Sequence, residues 1–188
     1  MPLPKTIRQT MQSQGYPQET IDTIIPAGPS TEDPKDIVHV IDQMDKHLTC
    51  EQCLAIMQHE GCCKSGKRLK DCKAYAKSVA DKPLEEKLAG IATIENMGRP
   101  VLNADGTITT GIFWHDGTAY RCACPTVKKL KGKIPVSRTY CGCCAGHFLF
   151  HYQNILGVPL TLQSIDSSPL DTGGEKPCTF TFAFALRA

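Results

Sequence analysis

Thr107-Ile-Thr-Thr-Gly-Ile-Phe-Trp114, then His115-Asp116-Gly117, then Thr118-Ala-Tyr-Arg-Cys-Ala-Cys124, is the stretch in which the chain changes period from helix to strand. Side-chain character alternates on both sides of Asp116-Gly117, and Asp-Gly readily supplies the positive φ angles of a tight hairpin turn. The stretch predicts a hairpin with strands at 107–114 and 118–124, placing Tyr120, Cys122 and Cys124 on one face.

The chain before this point has helical period. Asp33 suits a cap and Pro34 a first helical position, and Ile37, Ile41, Met44 and Leu48 mark one face of a helix. Thr49-Cys-Glu-Gln52 is a capping box that starts a second helix, with Gly61 expected as its left-handed stop. A third helix, Lys67 to Ala80, aligns Leu69, Cys72, Ala76 and Val79; a fourth runs from Pro83 through Leu84, Leu88, Ile91 and Met97 to Gly98. Residues 1–32, broken by Pro2, Pro4, Gly15, Pro17, Pro26, Gly28 and Pro29, read as an arm of two short helical pieces packed on a single domain of residues 33–188.

Beyond the hairpin, Lys128, Lys129, Lys131 and Lys133 predict a solvated loop. A fifth helix, Thr139 to Leu156, has a core stripe of Ala145, Phe148, Leu149, Tyr152, Ile155 and Leu156 and ends at Gly157. Cys143, His147 and His151 recur at four-residue steps on its neighbouring face. Strands are expected at Pro159 to Ile165 and Cys178 to Leu186, the latter with Cys178, Phe180, Phe182, Phe184 and Leu186 on one face. The fold class is therefore α+β: an N-terminal helical half packed on a C-terminal antiparallel sheet, with the Cys/His helix covering it.

The 188 residues suffice for one domain with a hydrophobic core, and a net charge of +2 gives no electrostatic reason to expect nucleic acid. The start carries no apolar run of signal length, and no stretch approaches the roughly 20 apolar residues of a membrane span. A cytoplasmic protein is expected, with no membrane partner. In a reducing compartment its eleven cysteines are expected to divide among core packing, metal ligation and catalysis.

Cys50-x-x-Cys53 lies at a helix start but follows no strand and continues an apolar stripe through Met57, so it reads as packing, as does Cys72. Gly61-Cys-Cys-Lys-Ser-Gly66-Lys67-Arg68 approaches a phosphate-binding loop, yet Arg68 replaces the magnesium-binding hydroxyl and no strand precedes it. No nucleotide cofactor is expected; Lys64, Lys67 and Arg68 remain candidates for holding a substrate carboxylate. The strongest signal is Cys141-Gly-Cys143-Cys144-Ala-Gly-His147 with His151. Thiolates attack electrophilic carbon or bind soft metals, and imidazole moves protons or completes a metal shell.

The run from the Cys-rich, Gly146-containing helix through Ile155-Leu-Gly157-Val-Pro159, Ser167-Ser-Pro-Leu170 and Cys178-Thr-Phe180-Thr-Phe182 resembles the end of 4-vinyl-reductase-type domains. It is also similar to the L-2-amino-thiazoline-4-carboxylate hydrolase family. The resemblance implies a small-molecule cavity bounded by a helix, a strand and a final Cys-x-Phe strand, with a zinc-ligand role carried to Cys178 alone. This chain has Gly173-Gly-Glu-Lys-Pro-Cys178 in place of Gly-Asp-x-x-Cys, and Ser167-Ser168 where zinc-binding members place another cysteine.

Two functions follow as expectations. One is hydrolysis of a small C–N compound, such as a cyclic amidine or amide, with Cys143 or Cys144 as nucleophile, His147 as general base and His151 orienting or shuttling protons. The other is a non-catalytic small-molecule-binding module with a structural zinc held by some of Cys122, Cys124, Cys141 and Cys178.

Overall fold

A computed structural model describes residues 3–26, 34–62, 64–128 and 135–185. Asp33, Cys63, Lys129, Lys131, Lys133 and Leu186, named above, lie outside the described residues. The fold is α+β, with the helical half over a four-stranded antiparallel sheet of order β1-β2-β4-β3.

The helical half begins with α1 (Pro4–Ser13) and α2 (Gln18–Ile24). Their Ile7, Met11, Ile21 and Ile24 join one core with Ile37, Ile41 and Met44 of α3 (Pro34–His47) and Ile56 and Met57 of α4 (Cys50–His59). The capping box at the start of α4 is formed: Thr49 Oγ1 accepts from the Gln52 amide at 3.2 Å, and Gln52 Oε1 accepts from the Thr49 amide at 2.9 Å.

Gly61 is not the left-handed stop that its position suggests, because its φ is not positive. Its reason is close approach: a Cβ there would lie 2.8 Å from the Gly146 carbonyl carbon and 3.0 Å from the His147 amide. The helices α5 (Gly66–Ser78) and α6 (Leu84–Ile91) follow. Met97 falls beyond α6 rather than on it; it is buried all the same, and its carbonyl accepts from Tyr152 OH at 2.7 Å.

The hairpin forms one turn earlier than the sequence suggested. Val101–Leu102 (β1) pairs with Ile108–Ile112 (β2), and Asp105 Oδ1 closes the turn between them by accepting from the Thr107 amide at 3.0 Å. Residues 118–124 are not a strand. The Asp116 turn does form, with Oδ1 accepting from the Thr118 and Ala119 amides at 3.0 Å. Its arms meet at a single bridge, His115 to Tyr120, and then part. The Tyr120 amide donates to the Gly174 carbonyl at 2.9 Å, and the chain enters the short helix α7 (Pro125–Lys128), so Lys128 is helical rather than in a loop.

A 3₁₀ turn, Arg138–Cys141, leads into α8 (Gly142–Leu156), which Gly157 stops at φ 71°. One side of α8 meets the sheet: Phe148 lies 5.6 Å from the Phe180 ring and Tyr152 6.2 Å from the Phe182 ring. Both phenylalanines belong to β4 (Cys178–Phe184), which pairs with β2 and with β3 (Leu160–Ser167). The other side meets α4 so closely that a Cβ on Gly146 would sit 2.2 Å from the Gln58 carbonyl oxygen.

Candidate functional site

The junction of the 3₁₀ turn and α8 places Cys141 at the helix start and Cys144 one turn on. Cys122 approaches from the loop after β2, and Cys178 opens β4. Cys141 and Cys178 are close enough to perturb each other's titration. Cys141 Sγ also lies 3.2 Å from Ser168 Oγ, which is fully buried. Ser168 Oγ accepts from the Cys141 thiol and also from the Leu170 amide, the latter at 3.1 Å.

These two contacts set the thiol energetics apart. The interactions with Cys178 and then Ser168 hold the Cys141 thiol below its ordinary range despite burial. Cys178 is pushed up, first by that same interaction and then by burial. Burial raises Cys122 to about 12 and takes Cys144 well above the usual value, with the neighbouring sulfurs adding to both. Of the expected zinc set, Cys122, Cys141 and Cys178 come together with Cys144, whereas Cys124 Sγ lies 2.9 Å from Tyr140 OH. Among the described residues no group of three or more His, Cys, Asp or Glu side chains is set to hold a metal ion.

Farther along α8 the side chains face the α4–α5 connection. Cys143 donates to the Glu60 carbonyl at 3.3 Å, and a hydrogen bond with Cys62 together with burial drives its pKa up. His147 Nδ1 lies 3.0 Å from the Cys62 carbonyl and Nε2 3.3 Å from the Asn96 carbonyl. Burial lowers the His147 pKa to about 4. With both ring nitrogens at backbone carbonyls, the four-residue spacing stacks Cys143 and His147 without directing the imidazole at the thiol. His151 is fully buried and edge-on to His147, with ring centroids 4.9 Å apart.

The three basic candidates separate. Lys64 Nζ donates to the Gln58 and His59 carbonyls, closing the end of α4. Lys67 pairs with Asp71 on the exposed face of α5, and Arg68 is half-buried on the side whose charge reaches His147. As packing candidates, Cys53 and Cys72 are buried, while Cys50 is exposed.

A cavity of about 550 Å³ opens beside the sulfur group, lined by Trp114, Tyr120, Arg121, Cys122, Lys128 and Leu170 among others. The Lys128 ammonium stands 4.0 Å over the Trp114 ring, a cation–π contact. Arg121 Nε donates to Asp116 at 2.5 Å and holds that carboxyl well below the usual range. Asp171, also in the wall, is paired with Arg138. Sequence reasoning found Cys122 but missed the rest of this wall; the one tryptophan beside the Asp116-Gly117 turn was the available signal. Neither this cavity nor a second one of about 460 Å³ beside Asn96 and Phe113 is lined by Lys64, Lys67, Arg68, Cys143, Cys144, His147 or His151.

No protein-family model, curated protein or solved structure matches this chain.

Among the described residues no helix is long and apolar enough to cross a membrane.

Proposed function

We propose that this chain binds a small, flat, anionic molecule in the cavity beside Trp114. The observation that carries the reading is the Lys128 ammonium resting on an aromatic face in a concave wall. The volume suits a small-molecule site, and the indole offers a stacking surface. The two acids of the wall are engaged by arginines, Asp116 by Arg121 and Asp171 by Arg138, so among the described wall residues Lys128 is the cation left to meet a ligand carboxylate.

A second reading, hydrolysis of a small C–N compound, is favoured by the Cys122 sulfur in the same wall. Burial raises that thiol to about 12 and the Lys128 charge offsets this only slightly, so the reading rests on Cys122 lining the cavity where Cys143 and Cys144 do not. The test is a thermal-shift and calorimetric screen of planar heterocyclic carboxylates, cyclic amidines included, with products followed by chromatography. Binding that Lys128→Ala and Trp114→Ala each weaken at least tenfold is expected. Hydrolysis lost in Cys122→Ser with binding retained selects the enzyme over the module. Equal binding by Lys128→Ala and wild type would refute the site.

A further inference from the structure

We propose that the second cavity, beside Asn96 and Phe113, binds a free α-amino acid with an apolar side chain. Two side chains of opposite charge, Glu95 and Arg99, line it together. They do not pair with each other, and among the described residues no other ion pair holds either one. Lys67, whose ammonium feels the Glu95 charge, is paired with Asp71 at 2.5 Å.

Their hydrogen-bonding capacity is likewise open. Glu95 Oε1 accepts from Asn96 Nδ2 at 3.1 Å, while Oε2 has no donor among the described residues. The Arg99 guanidinium keeps its whole fork of N–H donors. A simple anion in this cavity meets repulsion from Glu95, and a simple cation meets repulsion from Arg99. A zwitterion satisfies both: its carboxylate accepts from the Arg99 fork and its ammonium donates to Glu95.

The turn that carries the two charges is fixed from below by α8. Asn96 and Gly98, with φ of 60° and 68°, reverse the chain between Glu95 and Arg99. The Asn96 carbonyl lies 3.3 Å from His147 Nε2, and the Met97 carbonyl accepts from Tyr152 OH at 2.7 Å; both rings belong to α8. A turn held in this way has little freedom to lose when a ligand binds.

The rest of the cavity suits an apolar side chain. Gly98 and Gly111 put bare backbone in the wall, packed so closely that a Cβ on Gly98 would stand 2.8 Å from the Gly111 carbonyl oxygen. Ile94, Ile112 and Phe113 add apolar surface, and Phe113 is 50% exposed, so a ligand side chain against it removes that surface from water. The volume of about 460 Å³ falls in the range of small-molecule sites. Phe113 and Trp114 are consecutive but line different cavities, and the proposal does not depend on what the cavity beside Trp114 holds.

The experiment titrates the full chain, labelled with ¹⁵N, with L-phenylalanine and L-leucine, following amide shifts by NMR and affinity by calorimetry. Saturable binding that shifts the Gly98, Gly111 and Phe113 amides is expected. N-acetyl-L-phenylalanine lacks the ammonium and L-phenylalanine amide lacks the carboxylate, and each should bind about tenfold more weakly. Glycine should also bind more weakly, since it leaves Phe113 in water. Glu95→Gln should remove the preference for L-phenylalanine over its N-acetyl form, and Arg99→Gln the preference over its amide. Both side chains are exposed, so neither change threatens the fold. No saturable binding of either amino acid at millimolar concentration would overturn the proposal. So would equal binding of the N-acetyl form by wild type, equal binding of glycine, or shifts centred on Tyr120 and Gly173 in the first cavity.

Discussion

Replacing Gly146 by Ala tests the seam that brings the α4–α5 connection onto α8. The new Cβ would stand 2.2 Å from the Gln58 carbonyl oxygen, 2.7 Å from its Cα and 2.8 Å from its carbonyl carbon, where ordinary contact begins at 3.4 Å. The shortfall against the oxygen is 3.4 − 2.2 = 1.2 Å, and the obstruction is helix backbone, which has no rotamer to change. The helices must part by about 1 Å. Overpacking costs about 1–3 kcal/mol, and backbone against backbone places this case at the upper end. Alanine returns about 1 kcal/mol through its better helix propensity. The net of about 2 kcal/mol corresponds to a Tm about 4–8 °C lower for a chain of this size. Thermal denaturation followed by far-UV circular dichroism measures it, with Gly157→Ala as a comparison: that site has open space and is strained only by its φ of 71°. An unchanged or raised Tm for Gly146→Ala would mean that helix propensity outweighs contact, and the close seam would be refuted.

Two further outcomes follow from buried polar groups. His147 stays neutral in the folded chain down to about pH 4, whereas the unfolded imidazole takes up a proton near 6.5. Between those values the unfolded state binds more protons, so stability falls as pH drops from 6.5 to 4, by about 3 kcal/mol from this residue. Urea denaturation across that range should show the loss in wild type and a shallower slope in His147→Gln; parallel slopes would contradict it. Tyr152→Phe removes a hydroxyl that donates to the Met97 carbonyl at 2.7 Å and lies 2.8 Å from Thr110 Oγ1, all out of solvent. It should destabilise by about 1–3 kcal/mol, and a change under 0.5 kcal/mol in urea unfolding would show that these partners find others.

Local signals carried the elements. The Thr49–Gln52 box, the Gly157 stop, the apolar stripe of α8 and the alternation of β4 each depend on residues a few positions apart, and each formed where the sequence placed it. The dense cysteines also located the sulfur group, because Cys141 and Cys144 share the first turn of one helix.

Partners across the chain were a different matter. Asp116-Gly117 supplied a turn but not a sheet, since the 118–124 arm found its acceptor at Gly174 instead of β2, while the less conspicuous Asn103–Thr107 turn made the hairpin. Helical spacing stacked Cys143 under His147, but the backbone carbonyls of Cys62 and Asn96 decided where the imidazole points. Cys124 was sequence-equivalent to Cys122 until Tyr140 OH stood beside it. Ser168, read only as a missing cysteine, became the hydroxyl at Cys141. Periodicity and caps are properties of neighbouring residues and are written in the sequence. The partner of a buried sulfur or imidazole is set by which backbone the packing brings against it, and that was decided by the tertiary structure alone.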